Sequence, residues 1–148
     1  MQIAMNKKIQ EIENELVEEF ELFDTWAEKY EYIIELGQKL SPIDEKHKTD
    51  ENKIKGCQSN VWLHAWEKDG RIYFDAESDS TFVKGEIALL IRVLSGQRAE
   101  DIVSAELNFI DTLGLRQHIA VTRANGLASM IKQMKLYALG YQLVNRKA

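Results

Sequence analysis

The chain has 148 residues, a length that buries roughly two-thirds of its unfolded surface in one domain with no need of a disulfide or metal. Its apolar (45%) and charged (29%) fractions are ordinary for a soluble globular protein, and a single proline with few low-complexity stretches argues against disorder. A net charge of −5 argues against general nucleic-acid affinity, and no apolar run approaches the ~20 residues that cross a membrane.

Residues 1–8 run directly into a charged helical pattern with no apolar h-region, so no signal peptide is expected. Together with a free thiol, this points to the reducing cytoplasm. Ile9, Ile12, Leu16, Phe20 and Phe23 step by three or four and predict a helix over 6–22. Asp24 is positioned to cap a second helix ending near Leu40, with Trp26 as a core residue and Ser41-Pro42 as the stop. Residues 41–52 are polar and read as an exposed loop.

The period then changes to two. Val61, Leu63 and Ala65 alternate with Trp62, His64 and Trp66, as in a strand. Lys68-Asp69-Gly70 carries a hairpin signal, and Arg71 to Ala76 is the return strand. Lys53 to Lys55 is placed as a short third strand. Asp79 or Ser80 caps a helix through Leu94 that is apolar nearly all round and belongs at the core centre. Gly85 inside it costs about 1 kcal/mol relative to alanine, which implies close packing, with the Cys57 loop as one candidate neighbour. Short helices at 99–105 and 109–113 and a long one over 123–144 complete the chain. The order indicates an α+β two-layer domain, a small three-stranded antiparallel sheet packed against helices, in one domain spanning 1–148.

Charge is unevenly placed. Nine acids and one lysine lie between Glu11 and Glu31, and no acid follows Asp111, where six Lys or Arg remain. Either these are solvated faces of opposite sign that pack together, or they form a surface steered by charge toward a partner.

Cys57 is the only cysteine. It cannot close an intramolecular disulfide or make a four-ligand zinc site alone. It is either a buried small hydrophobe or a nucleophile. Gly56 before it permits a sharp loop tip, and Lys53 and Lys55 favour the thiolate, whereas an apolar pocket built around Val61, Trp62 and the central helix disfavours it. His47 and His64 lack the spacing of a metal site.

The run Gly56-Cys57-Gln58-Ser59-x-Val61-Trp62 resembles the signature of the SufE family. So do Trp26-x-x-Lys29-Tyr30-x-Tyr32-Ile33-Ile34-Glu35-Leu36-Gly37, Glu77-Ser78-Asp79-Ser80, Val83-Lys84-Gly85 with Ile87-Ala88, Asp101-Ile102-Val103, Leu113-Gly114-Leu115-x-x-His118 and Arg123-x-Asn125-Gly126-Leu127. The resemblance covers about Phe20 to Ala138. It implies a scaffold-like α+β fold without the three cysteines that hold a cluster. It also implies a sulfur acceptor that stimulates a cysteine desulfurase of the SufS or CsdA kind and takes its persulfide sulfur onto Cys57. The sulfur then passes to an iron–sulfur scaffold or another thiol acceptor. Lys55, Gly56, Gln58 and Ser59 would shape the active loop. Trp62, Asp79, Lys84, Gly85, His118, Arg123, Asn125 and Gly126 are the supporting or partner-binding candidates. For Arg123 a salt bridge or loop clamp, for instance to Asp79, is the alternative; for His118, a ring satisfied by backbone rather than a proton shuttle. No cofactor is expected on this chain, since pyridoxal phosphate belongs to the desulfurase, and a monomer or weak homodimer is the expected assembly. Two other readings stay open: a one-cysteine thiol peroxidase or redox sensor, and an interaction domain with an inert cysteine.

Overall fold

The structure, a computed structural model, describes residues 7–147. Helix α1 (Ile9–Phe20) and helix α2 (Trp26–Gln38) open the chain. Thr25, not Asp24, caps α2: its hydroxyl accepts from Glu28 N at 3.2 Å, and the Glu28 side chain returns to the cap backbone in a capping box. Residues 41–60 hold two short 3-10 turns, Glu45–His47 and Asp50–Asn52. Strands β1 (Val61–Lys68) and β2 (Arg71–Ser78) form the expected hairpin. Asp69 (φ 55°) and Gly70 (φ 80°) both take left-handed conformations, as a two-residue turn with this twist requires.

The third strand differs from the expectation. Lys53 makes only an isolated bridge to Trp62. The strand beside β2 is β3 (Gln97–Arg98), after α3 (Thr81–Leu94), so the antiparallel order is β1-β2-β3. Two residues are too short to show any alternation in sequence, and Lys53 is kept near β1 by the return of the 53–62 loop. Four helices follow: α4 (Ala99–Ser104), α5 (Phe109–Thr112), α6 (Leu115–His118) and α7 (Val121–Lys147).

The sheet packs one face on the helices. Val61 and Leu63 of β1 and Ile72, Phe74 and Ala76 of β2 are buried with Ile87, Leu90 and Leu94 of α3. The opposite face carries Trp62, His64, Trp66 and Tyr73 in partial exposure, and the His64, Trp66 and Tyr73 rings stack in sequence with His47 added at 3.5 Å from His64. Trp26 packs against the core only in part. Its other face stacks on the His118 ring at 4.1 Å, because α2 begins at the molecular surface beside α6. The acidic α1 meets α3 and α5 rather than the basic end of the chain. Arg92 of α3 pairs with Glu19 there, and the buried Glu13 carboxylate accepts from Phe109 N at 2.9 Å.

Gly85 packs against α2 and not under the Cys57 loop. A Cβ at Gly85 would sit 2.2 Å from Ile33 O, and one at Gly37 would sit 2.6 Å from Gly85 N. Two glycines thus bring α2 and α3 into backbone contact, and this contact sets the direction in which α3 projects toward the thiol. Gly85→Ala should therefore lower stability by about 1–3 kcal/mol, the usual range for overpacking, despite alanine's better helix propensity. Urea unfolding checks this; an unchanged or raised midpoint would contradict the crossing.

Candidate functional site

Cys57 lies on a loop whose base is closed twice. Ile54 N donates to Val61 O at 2.8 Å. Asn60 donates to Asp79 through its backbone (3.1 Å) and its side-chain amide (2.8 Å), and Asp79 N donates back to Asn60 O. Asp79 is therefore a loop anchor, and Ser80 caps α3 by accepting from Val83 N at 3.3 Å. These bonds leave residues 55–59 as a short projection of fixed origin.

The tip leans on α7. Gly56 has φ +89°, and a Cβ there would lie 2.7 Å from Ser129 Oγ, so this position suits glycine on two counts. The Cys57 thiol donates to Gly126 O at 3.7 Å, and a Cβ on Gly126 would stand 3.6 Å from Sγ. Gly126, inside the first turns of α7, supplies the carbonyl on which the thiol rests. Cys57 is half-buried, in neither strand nor helix, between exposed Gly56 and exposed Gln58.

Below the tip is a cavity of about 320 Å³. Gln58 and Ser59 from the loop, Ser80, Val83 and Glu86 from the start of α3, and Arg123 and Gly126 from α7 line it with Cys57. Arg123 places its guanidinium over the Phe82 ring at 4.7 Å rather than on Asp79, which Asn60 already occupies. No salt bridge holds it among the described residues. Burial pushes the Cys57 thiol up, and the Glu86 carboxyl adds to that shift. Lys55 is exposed on the loop, and Lys53 lies over the Trp62 ring at 5.9 Å beside Lys48 at 4.9 Å. The desolvation of the thiol therefore outweighs the lysines.

Glu86 was not legible as a site residue. It stands in the apolar run of α3, is 1% exposed, and neither carboxyl oxygen has a hydrogen-bond partner. Burial pushes its pKa to about 8, against the pull of Arg123. The only signal in the sequence was a single acid on a helix apolar on nearly every face.

The remaining candidates fall elsewhere. Lys84 pairs with Glu77 at 3.0 Å, and Gly85 serves the α2 crossing. Trp62 lies on the outer sheet face, bridged to Lys53 through the backbone and with Lys48 and Lys53 over its ring. His118 is exposed, and its ring stacks on Trp26 at 4.1 Å. Asn125 is exposed on α7 beside Gly126. Among the described residues no group of three His, Cys, Asp or Glu is placed to hold a metal, and no helix is long and apolar enough to cross a membrane.

What the geometry defines is an α+β domain that presents one half-buried thiol on an anchored loop. The sequence profile of the SufE family, an Fe-S metabolism associated domain, matches residues 14–138. The chain belongs to that family. It is 39% identical over 132 residues to an uncharacterised SufE-like protein of Rhizobium meliloti, covering 86% of this chain and 94% of that one. It is 36% identical over 128 residues to an uncharacterised SufE-like protein of Synechocystis, covering 86% and 80%. It is 38% identical over 135 residues to the chloroplastic/mitochondrial SufE-like protein 1 of Arabidopsis thaliana, spanning 88% of this chain but 36% of the plant protein. The fold is also that of a hypothetical protein of Thermus thermophilus solved in solution, with a TM-score of 0.73 at 18% identity over 87% of this chain and 94% of the other.

The raised Glu86 pKa has a consequence for stability. Between about 4.5 and 8 the unfolded chain releases a proton that the folded chain keeps, so stability falls as pH rises through that window. Glu19 and Glu77, both lowered, act below 4.5 and do not mask the slope. Urea midpoints measured across the window should fall with pH in the native chain and flatten in Glu86→Gln; equal slopes would contradict the burial.

Proposed function

We propose that the protein is a sulfur carrier: Cys57 accepts sulfane sulfur from a cysteine desulfurase as a persulfide and delivers it to a thiol acceptor in iron–sulfur cluster assembly. In the first step the Cys57 thiolate attacks the outer sulfur of the desulfurase persulfide. The new Sγ–S bond forms, the donor S–S bond breaks, and its electron pair leaves on the desulfurase cysteine. In the second step an acceptor thiolate attacks the outer sulfur on Cys57, whose own sulfur now leaves. One cysteine suffices, since a second nearby thiol in this chain would expel the cargo as sulfide.

The single observation that carries this reading is where the thiol sits. Cys57 occupies an anchored loop tip over a cavity, half-buried against Gly126. Such a tip can be drawn into another protein's active site while its base stays fixed by Asp79. In the resting chain, burial holds the thiol in its protonated, unreactive form. A peroxide-reducing cysteine requires the reverse, a thiol pulled down toward neutrality. The cytoplasm is the compartment we assign to this exchange, which needs reduced thiols on both sides.

Cys57→Ser should abolish stimulation of a desulfurase by this chain while the circular dichroism spectrum and melting behaviour stay native. Stimulation retained at the native level would refute the assignment. Asp79→Ala releases the loop base, and should raise the rate at which iodoacetamide labels Cys57 in the isolated chain by about tenfold. An unaltered labelling rate would remove Asp79 from the account. The tenfold figure corresponds to loss of one or two hydrogen bonds that hold the buried form, each about 1 kcal/mol.

A further inference from the structure

A buried carboxyl with no hydrogen-bond partner in a folded protein calls for an explanation. Both oxygens of Glu86 are in that condition, on a residue 1% exposed, in the wall of the cavity that Cys57 roofs. The other buried acid among the described residues, Glu13, is satisfied: at 4% exposure it accepts from Phe109 N at the start of α5. Glu86 is not serving the fold in that way, and a leucine at its place on an apolar helix would pack without a polar penalty.

The cavity does contain a group that needs a donor. A persulfide is a stronger acid than the thiol from which it forms, so sulfur loaded on Cys57 is an anion at neutral pH. An anion in a half-buried cavity requires hydrogen bonds or a countercharge. We propose that the Glu86 carboxyl, in its neutral form, donates a hydrogen bond to the anionic terminal sulfur on Cys57. Arg123 is the positive group on the same cavity, which makes the space beneath the loop the holding site for the cargo. This rests on the carrier reading above and adds the residue that retains the sulfur between donor and acceptor.

The protonation state agrees with the geometry. With a pKa near 8, Glu86 is mostly neutral at pH 7 and able to donate. The groups that face it are few. Arg123 comes from α7 and Cys57 from the loop, and the Ser59 and Ser80 hydroxyls do not titrate in this range. Lys84 on the same helix is engaged by Glu77 of β2; α2 meets α3 through Ile33, Gly37 and Tyr30, whose ring packs edge-on against Phe82, and the Glu15 and Glu19 carboxylates of α1 are engaged by Arg92. Above pH 8 the carboxyl becomes an anion, loses its proton for donation and repels the sulfur. The sulfur anion itself opposes that ionisation, so retention should weaken as pH rises above that value.

The test uses the intact chain, loaded with inorganic polysulfide and exposed to a fixed concentration of a small thiol, with persulfide lifetime followed by mass spectrometry against pH. Glu86→Gln keeps a donor and cannot ionise, and Glu86→Leu has no donor at all. The ratio of native to Gln lifetimes should be near one at neutral pH and fall as the pH is raised above about 8, where the carboxyl ionises against the sulfur anion; the ratio cancels the ionisation of the attacking thiol. Glu86→Leu should shorten the lifetime at pH 7 about tenfold, the range of one hydrogen bond to a charged group. A ratio constant with pH, or a Leu variant that holds sulfur as long as the native chain, overturns the proposal. Ultraviolet titration of the unloaded thiol adds a readout independent of sulfur. Cys57 should ionise at lower pH in Glu86→Gln, because the native carboxylate opposes a second negative charge, and superimposed curves would also overturn it. A chain that holds polysulfide sulfur in this Glu86-dependent way but takes none from a desulfurase refutes the carrier reading and leaves the holding site intact.

Discussion

Cys57 Sγ rests on the backbone of Gly126, and this contact decides how the one thiol of the chain behaves. It removes the sulfur from water on one side and so favours the thiol over the thiolate. The contact is made to a main-chain carbonyl, and a Cβ on residue 126 would itself only touch the sulfur, at 3.6 Å. The surrounding architecture places the loop for this contact. The Asp79–Asn60 clamp fixes where the loop starts, Gly56 turns it, and α7 supplies the surface on which it lands.

The position of α3 matters as much as that of the loop. The crossing of Gly37 and Gly85 brings α2 and α3 together at backbone distance, so α3 has little freedom to tilt. Its first turns then deliver Val83 and Glu86 to the cavity beneath the thiol. Two ionisable groups lining one small cavity each raise the cost of placing negative charge on the other. The resting site is accordingly one in which both keep their protons, with Arg123 at the rim. A carrier benefits from this, since a quiescent thiol does not react with stray disulfides or oxidants before its partner arrives.

The sequence was legible wherever a local rule acted alone. The Asp69-Gly70 turn, the alternation of β1, the capping at Ser80 and the apolar surround of α3 each follow from neighbours in the chain, and the cysteine motif announced its own loop. Features that depend on distant partners were not legible. Gln97–Arg98 becomes a strand only because β2 offers an open edge. Trp26 reads as core from its size and periodicity, yet its outer face is taken up by His118, ninety-two residues later, in a helix of one turn. Asp79 was weighed as a partner for Arg123, but Asn60 is nearer and offers two donors. Glu86 was hidden because helical periodicity treats a lone acid among apolar residues as an outward face, and only the packing of α7 and the loop shows that this face is inward.

The central claim is that this thiol, quiet in the isolated chain, becomes a covalent sulfur acceptor when a desulfurase is present. Intact-mass measurement of the chain after incubation with a cysteine desulfurase and free cysteine tests it most directly. The account predicts a gain of about 32 Da, one sulfur atom, removable by reductant and mapped to the Cys57 peptide. An unshifted mass, with the desulfurase turning over in the same tube, would contradict it.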